Sequence, residues 1–431
     1  MIMARNPQPA TRNPEHLYDV IVIGAGASGM MAAGRAAELG ARVLVLEKMP
    51  RAGLKLGITG KGRCNLTNLG DIQAFMGSYS PDGRFLRNCF ARFFNQDLME
   101  FFEEKGVPLA VERGQRVFPK SNRALDVVSA LMAFMKKKGV TLIKEHPVEE
   151  VLVHSGRVEG VVSHHGVFKA PSLILASGGA SYPRTGSTGD GYLLAQKAGH
   201  TIIPIRPFLI PLEVKETWVK DLQGVSLKNV SATVYVNGRK KDSEFGEMLF
   251  THFGVSGPII LTLSGGVVDY LSQGKVEVSL NLKPALTQDQ LDGRLQRELK
   301  AHHLKGLSAV LKLLLPNKMV PVFLDLLNIS GDKKGNQISA EERSRLRGLL
   351  SDLRLTITVP RPLEEAIVTA GGVSLKEVNP RTLESKIVQG LFLCGEVLDV
   401  QGKTGGYNLQ AAFSTGWVAG ESAAKIVASD G

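Results

Sequence analysis

The sequence predicts an α/β fold: a Rossmann-like parallel sheet built from both ends of the chain, with a β-rich insertion and a small helical part in the middle. Three observations lead there. Residues 18–47 read strand, glycine turn, helix, strand. From about residue 200 to 359 the texture changes to short alternating strands and then helical periods. From 361 onward the chain returns to glycine-rich turns, an apolar strand and a closing helix.

The elements follow in order. YDVIVI (18–23) is a short β-branched run, GAGASG breaks it, and MMAAGRAAELG is rich in small helix formers. ARVLVL (41–46) is a second buried strand ending at Glu47, which completes a βαβ unit with parallel strands. A glycine-rich basic segment (51–68) precedes an aromatic stretch with helical spacing (85–102) and an amphipathic helix over 124–138. Three runs between 148 and 176, parted by SG and HG turns, predict an antiparallel meander leading back to the sheet. Alternation over 231–236 runs into Asn237-Gly238, a hairpin pair, and a strand covers 275–282. Helical periods occupy 287–350, an apolar strand 390–394 and a helix 408–428. The expected boundaries are thus 18–199 with 361–431 for the first domain, 200–285 with 352–360 for the β-rich insertion, and 286–351 for its helical part. Residues 1–17 are expected as a flexible tail. No internal repeat is visible.

With 431 residues, 43% hydrophobic and 22% charged, the composition excludes disorder and collagen. Lys and Arg exceed Asp and Glu by 52 to 41, a net charge of +11, which draws the chain towards polyanions and makes nucleic acid a candidate partner. Three cysteines (Cys64, Cys89, Cys394) are an odd number without CxxC spacing, so neither a disulfide framework nor a metal site is expected. The first seventeen residues hold three prolines and both charge signs instead of a signal peptide's apolar core. The longest apolar stretches, such as 20–34, fall short of the ~18–20 residues of a membrane helix. A cytoplasmic protein with no membrane partner is expected; nothing in the composition fixes its oligomeric state.

Gly24, Gly26 and Gly29 form GxGxxG in the required strand–turn–helix context. The first permits a tight turn, the second lets backbone approach a pyrophosphate, and the third lets helix and strand pack closely; the helix N-terminus, with Ala27 and Ser28, offers N–H donors. Glu47, with Lys48 beside it, ends the second strand, where a carboxylate accepts from ribose hydroxyls; a 2′-phosphate there would meet that carboxylate, which disfavours NADP at this turn. Later features select FAD over NAD. Ser177-Gly178-Gly179 follow the meander strand, Gly395-Glu396 follow LFLC, and Gly405-Gly406 break the chain just before a helix opening on Tyr407, Asn408 and Leu409. A helix N-terminus at the flavin N1/O2 edge stabilises the negative charge of reduction.

GITGKGRCNLTN (57–68), ASGGASYPRTGSTGDGY (176–192), THFGVSGPIIL (251–261), TAGGVSLKEVNPRTLESK (369–386) and LCGEVLDVQGKTGGYNLQAAFSTG (393–416) resemble the motif set of the BaiN/RdsA family of FAD-dependent oxidoreductases. The resemblance runs from Tyr18 over nearly the whole chain; Cys394 stands where small residues are commoner. It implies FAD in a two-dinucleotide-binding type of domain with an inserted β-barrel and a small helical subdomain. It adds Gly60, Arg63, Cys64 and Asn65 of the first motif, and Val148, to the cofactor set. It also implies reduction of a uridine in large-subunit ribosomal RNA to dihydrouridine, with NADPH or NADH as a transient reductant, since no second GxGxxG exists. Other family members are a bile-acid-pathway reductase and an aminoacetone oxidase. A small-molecule flavin oxidase or reductase and a non-catalytic flavin-bearing RNA-binding assembly protein are the rival readings.

Reducing uracil adds a hydride to C6 and a proton to C5 from an acid on the other side of the base. Cys64, beside Arg63 and Asn65 in a positive loop, is the leading donor, with Tyr182, Arg184 and His252 behind it. Basic residues for RNA lie at Lys55, Lys61 and Arg63, at Arg113, Arg116, Lys120 and Arg123, and at Lys333, Lys334, Arg343, Arg345 and Arg347.

Overall fold

The computed structural model describes residues 17–429, with side chains to 426. The tail expected at 1–17 therefore lies outside the described residues, save Leu17.

Strand β1 (Val20–Ile23), helix α1 (Ala27–Glu38) and strand β2 (Val43–Glu47) form the first βαβ unit. β1 is wholly buried because it is the centre of a five-stranded parallel sheet in the order Leu391–Leu393, Ser172–Leu175, β1, β2, Thr141–Lys144. Val20 pairs with both Ser172 and Val43, and Leu173 with Leu391, so the C-terminal segment supplies an edge of the sheet begun at residue 20. Strands buried on both faces read as continuous apolar runs, which is why these were legible. The meander is present as Val148–His154, Arg157–Ser163 and Gly166–Lys169; the third predicted run splits around Pro171, and its second half turns into the parallel sheet.

The chain divides into two compact units, one of residues up to Arg206 and from Val368, the other Pro207–Ile367. Both crossings fall seven residues beyond the boundaries expected from sequence. The strand beginning at Ile202 pairs with Val368–Val373, and that pairing carries 200–206 with the first unit.

The second unit contains a closed six-stranded barrel: Leu212–Val214, Gly254–Ser256, Arg239–Phe250, Ser226–Val236, Val276–Asn281 and Leu353–Pro360, in that order around it. Asn237 and Gly238 both take positive φ (49° and 78°), as the hairpin pair requires. Helix Pro258–Tyr270 interrupts the region expected to be β-rich; its signal was a proline at the first helical position after Gly257. Helices Gln288–Ala301 and Ala340–Ser351 open on capping boxes from Thr287 with Gln290 and Ser339 with Glu342.

In the first unit, His200 Nδ1 lies 3.2 Å from Glu377 Oε2 and Nε2 lies 2.9 Å from Ser385 Oγ. The order Ser–His–Glu is that of a hydrolytic triad, but Ser385 Oγ also accepts N–H from Ile387 (3.0 Å) and Val388 (2.8 Å). Its lone pairs are engaged and its proton goes to His200, so the group is a clamp and not a nucleophile. Burial, opposed by Glu377, holds the His200 pKa below its ordinary value, and the ring is neutral. A depressed folded-state pKa means that this stability is present above the unfolded pKa of about 6.5 and is lost as pH falls below it. The melting temperature should therefore decline as pH falls below about 6.5, and decline less in His200→Gln; equal slopes would remove this account.

Candidate functional site

The first turn gives each glycine a separate task. Gly24 sits at φ +98°, and a Cβ there would lie 2.7 Å from Ala176 O. A Cβ on Gly29 would lie 2.0 Å from Gly24 O, whereas one on Gly26 meets nothing within 4 Å. Turn and packing thus exclude side chains at two positions, and the third faces open space at the start of α1, where the N–H groups of Ala27, Ser28 and Gly29 have no partner within the helix. Glu47 fixes this turn: Oε2 accepts from Ala25 N (2.7 Å) and Oε1 from Met49 N (2.8 Å). Its carboxylate keeps further lone pairs for a hydroxyl donor. His146 N donates to Glu47 O (2.9 Å), which sets Val148 two residues from the end of β2.

The second glycine element follows strand Ser172–Leu175. Ser177 Oγ is buried with no hydrogen-bond partner among the described residues, an orphan donor and acceptor of the kind a ligand satisfies. Gly178 takes φ +77°, and a Cβ on Gly179 would strike Thr369 Oγ1 (2.6 Å) and Glu396 Oε1 (2.7 Å). Gly395 likewise approaches Ser28, its Cβ position 2.4 Å from Ser28 Oγ, and its N–H donates to Thr415 Oγ1 (3.0 Å). Glu396 engages both oxygens with protein: Lys55 Nζ at 2.7 Å and Thr369 N at 2.8 Å, with Ser181 Oγ at 3.5 Å. Ser181 and Thr369 were not singled out from sequence, and Lys55, expected among the cations for RNA, is instead paired with Glu396; nothing local marks partners that lie 27 to 341 residues apart.

The third element is the loop after helix α2 (Leu54–Gly62). Its end is kinked at Thr59–Lys61, and Gly60, Lys61, Gly62 and Cys64 all take positive φ. Such conformations cost of order 1–3 kcal/mol for non-glycine residues and gather at ligand clamps. The Asn65 amide donates to Thr67 O (3.1 Å) and accepts from Gly406 N (3.0 Å). A Cβ on Gly406 would lie 2.4 Å from the Thr67 carbonyl, so the loop and the helix Tyr407–Ser429 meet backbone to backbone. Asn408 closes the turn before that helix, bonding Gly402 N and O at 2.7 Å each. Leu409 is half-buried beside it. Farther along, Cβ atoms on Gly416 and Gly420 would lie 2.3 Å from Ser28 O and Ala32 O. These two glycines, four residues apart, let the closing helix press on α1; the spacing was the signal that sequence reading passed over.

Several expected roles are corrected. Cys64 has no exposed surface, and burial, against a hydrogen bond with Thr59, pushes its thiol up to about 12. The positive loop does not tune it, because Arg63 turns its guanidinium to Glu112, Asn122 and the Phe118 ring. A donor must present surface to its substrate, so Cys64 is not the acid. Cys89 and Cys394 are likewise buried, their thiols pushed up to about 12. Native protein should therefore resist alkylation at neutral pH and react at three thiols only after unfolding, and Cys64→Ala should keep turnover within a few-fold. Lys48 pairs with Asp190 and Thr188. The Tyr407 ring lies edge-on to Phe75 (4.8 Å), and its carbonyl accepts from Tyr79 OH (2.7 Å), which makes it a member of an aromatic cluster. His252 belongs to the second unit, its ring against Phe253.

Tyr182 stands at φ +56°, half-buried, and its hydroxyl makes no hydrogen bond among the described residues. Tyr79 and Tyr192 are committed to the carbonyls of Tyr407 and Glu396. Arg184 is exposed two residues on. Asp399, which no sequence signal marked, is buried, and burial raises its carboxyl pKa against the lowering effects of Arg206 and the Gly371 N–H.

A glycine turn open at one helix start, an orphaned serine hydroxyl and a second helix start braced by the loop at 65–67 fit the parts of a dinucleotide cofactor. The fold and these loops define an FAD-dependent oxidoreductase with a Rossmann-type FAD-binding domain. The chain belongs to the HI0933-like family, whose profile, described as the HI0933-like protein Rossmann domain, matches residues 18–422. It is 34% identical to the 3-dehydro-bile acid delta(4,6)-reductase of Clostridium scindens, over 94% of this chain and 98% of that one. It is 31% identical to the ribosomal RNA dihydrouridine synthase of Escherichia coli, over 93% and 96% respectively. Among solved structures, 3-ketosteroid delta1-dehydrogenase from Sterolibacterium denitrificans superposes with a TM-score of 0.52 at 14% identity, covering 95% of this chain and 99% of that one. Among the described residues no helix is long and apolar enough to cross a membrane, and no cluster of ligating side chains could hold a metal ion.

Proposed function

We propose that the protein reduces a uridine of large-subunit ribosomal RNA to dihydrouridine, with FAD as the resident cofactor and NADPH or NADH as reductant. The observation that carries the reading is the near full-length likeness to a ribosomal RNA dihydrouridine synthase in a chain of net charge +11. A second reading, reduction of an unsaturated 3-dehydro-bile acid, has the 34% relative in its favour. Both substrates share one feature: a carbon–carbon double bond conjugated to a carbonyl, which accepts hydride at its far carbon and a proton at its near one.

When bound, FAD supplies the hydride. The chain does the rest. The N–H groups at the start of α1 would hold the diphosphate and Glu47 would accept from a ribose hydroxyl. Asn65 fixes Gly406, so the first N–H groups of the closing helix keep their direction and would offset negative charge on the reduced cofactor. Tyr182 presents the uncommitted phenol and donates the proton to the carbon beside the carbonyl. The glycines at 179 and 406 let Thr369, Glu396 and the Thr67 carbonyl close in, which braces the loops around the site.

The test is mass mapping of dihydrouridine in ribosomal RNA from cells with and without this gene. A site present only with the gene is expected. An unchanged map, with turnover of the bile acid instead, would move the assignment to the second reading.

A further inference from the structure

We propose that the hairpin of strands Leu109–Glu112 and Arg116–Pro119, with the residues just after it, is the face on which the RNA backbone docks. This rests on the reading of a ribosomal uridine as substrate.

The hairpin is tied to the candidate site by short connections. Strand Thr67–Asn68 pairs with it, Thr67 opposite Val117 and Asn68 opposite Arg116. Leu66 N donates to Val117 O and Leu69 N to Gln115 O, both at 2.9 Å. A single side chain then bridges the hairpin turn to the start of the closing helix: Asn68 Nδ2 donates to Gly114 O (2.9 Å) and Gly405 O (3.2 Å). A group bound at the turn is thereby registered against the loop 60–65 and Gly405 through one rigid sheet.

The charge on this face is positive and largely uncommitted. Lys61 and Lys120 are exposed and have no carboxylate partner among the described residues. Among the described residues the Arg116 guanidinium bonds only the Arg113 carbonyl (3.0 Å) and lies 5.8 Å from the Phe118 ring. The two carboxylates nearby are taken, Glu112 by Arg63 and Asp126 by Arg123. Three of the five cations singled out in the helical insertion differ. Lys333 pairs with Glu342 (2.6 Å), and Arg343 and Arg347 converge on Asp292 (3.0 and 3.9 Å). The other two, Arg345, which donates to Leu327 O (3.2 Å), and Lys334, have no carboxylate partner among the described residues. Cations already paired contribute little to a phosphate, while free ones at a fixed spacing displace counterions from it. A backbone anchored at the hairpin leaves its neighbouring base free to be extruded towards the site, the step that a buried reaction centre requires.

The experiment uses full-length, FAD-loaded protein and large-subunit ribosomal RNA from cells lacking the gene, with binding measured across a salt series. The triple variant Lys61→Ala, Arg116→Ala, Lys120→Ala should lose at least tenfold in affinity, and its salt slope should fall by roughly one per cation removed. A control triple in the insertion, Arg297→Ala, Lys300→Ala, Lys312→Ala, should match the wild type. If the first triple loses its flavin spectrum, the single exposed change Lys120→Glu carries the test, with a several-fold loss expected. Wild type that reduces ribosomal uridine alongside a hairpin variant that binds as tightly, or two triples that lose equally, overturns the docking face alone. Wild type that neither binds nor reduces the RNA overturns the uridine reading and this face with it.

Discussion

Replacing Gly26 with valine should yield a folded protein that no longer holds FAD. The backbone at this position, φ −83°, suits any L-residue, and a Cβ meets no atom within 4 Å, so the substitution leaves the fold untouched. The added methyls occupy the space over the first N–H groups of α1, the proposed place of the diphosphate. Loss of those contacts should weaken FAD binding roughly a hundredfold or more, which corresponds to about 2.7 kcal/mol. Gly29→Ala makes the contrast: a Cβ 2.0 Å from Gly24 O forces strand and helix apart, and that variant should fail to fold. Circular dichroism and the flavin absorbance retained after desalting separate the two outcomes. A yellow Gly26→Val protein would remove the diphosphate from this turn.

Tyr182→Phe should reduce dihydrouridine formation by roughly 100- to 10,000-fold, the range general acids contribute, while FAD content and the slow oxidation of NADPH without RNA stay unchanged. The change removes one oxygen and keeps the ring, so packing at φ +56° is preserved. The loss should fall on the rate of the base reduction and not on RNA affinity. Product formation at the wild-type rate would clear Tyr182 of the role, and Asp399, whose carboxyl burial biases towards the protonated form, would be the next group to replace.

The first βαβ unit was readable because its signals are local: four consecutive β-branched or apolar residues, three glycines at fixed spacing, and an acid at the end of β2. The hairpin at Asn237-Gly238 was readable for the same reason, since two adjacent residues carry the positive φ that the turn needs. Cys64 was misread. From sequence it is a thiol between cationic and amide neighbours, but side-chain direction is a tertiary matter: around left-handed residues 60–62 and 64, Arg63 turns to Glu112 and Asn122 and the sulfur is enclosed. Helix Pro258–Tyr270 was absorbed into a β-rich expectation because its apolar residues are almost continuous, and a buried helix and a buried strand share that pattern.

The amino-acid sequence by itself determined the parallel sheet, the glycine turn, the acid that fixes it and the presence of an inserted unit, because each is written in neighbouring residues whose backbone preferences do not depend on the remainder of the chain. Only the tertiary structure decided which groups meet: Lys55 with Glu396 across 341 positions, Asn65 with Gly406, Gly416 with Ser28, and Asn68 between two turns. Those contacts arise from packing distances of two to three ångströms between segments far apart in the chain, and a linear string of residues carries no measure of that distance.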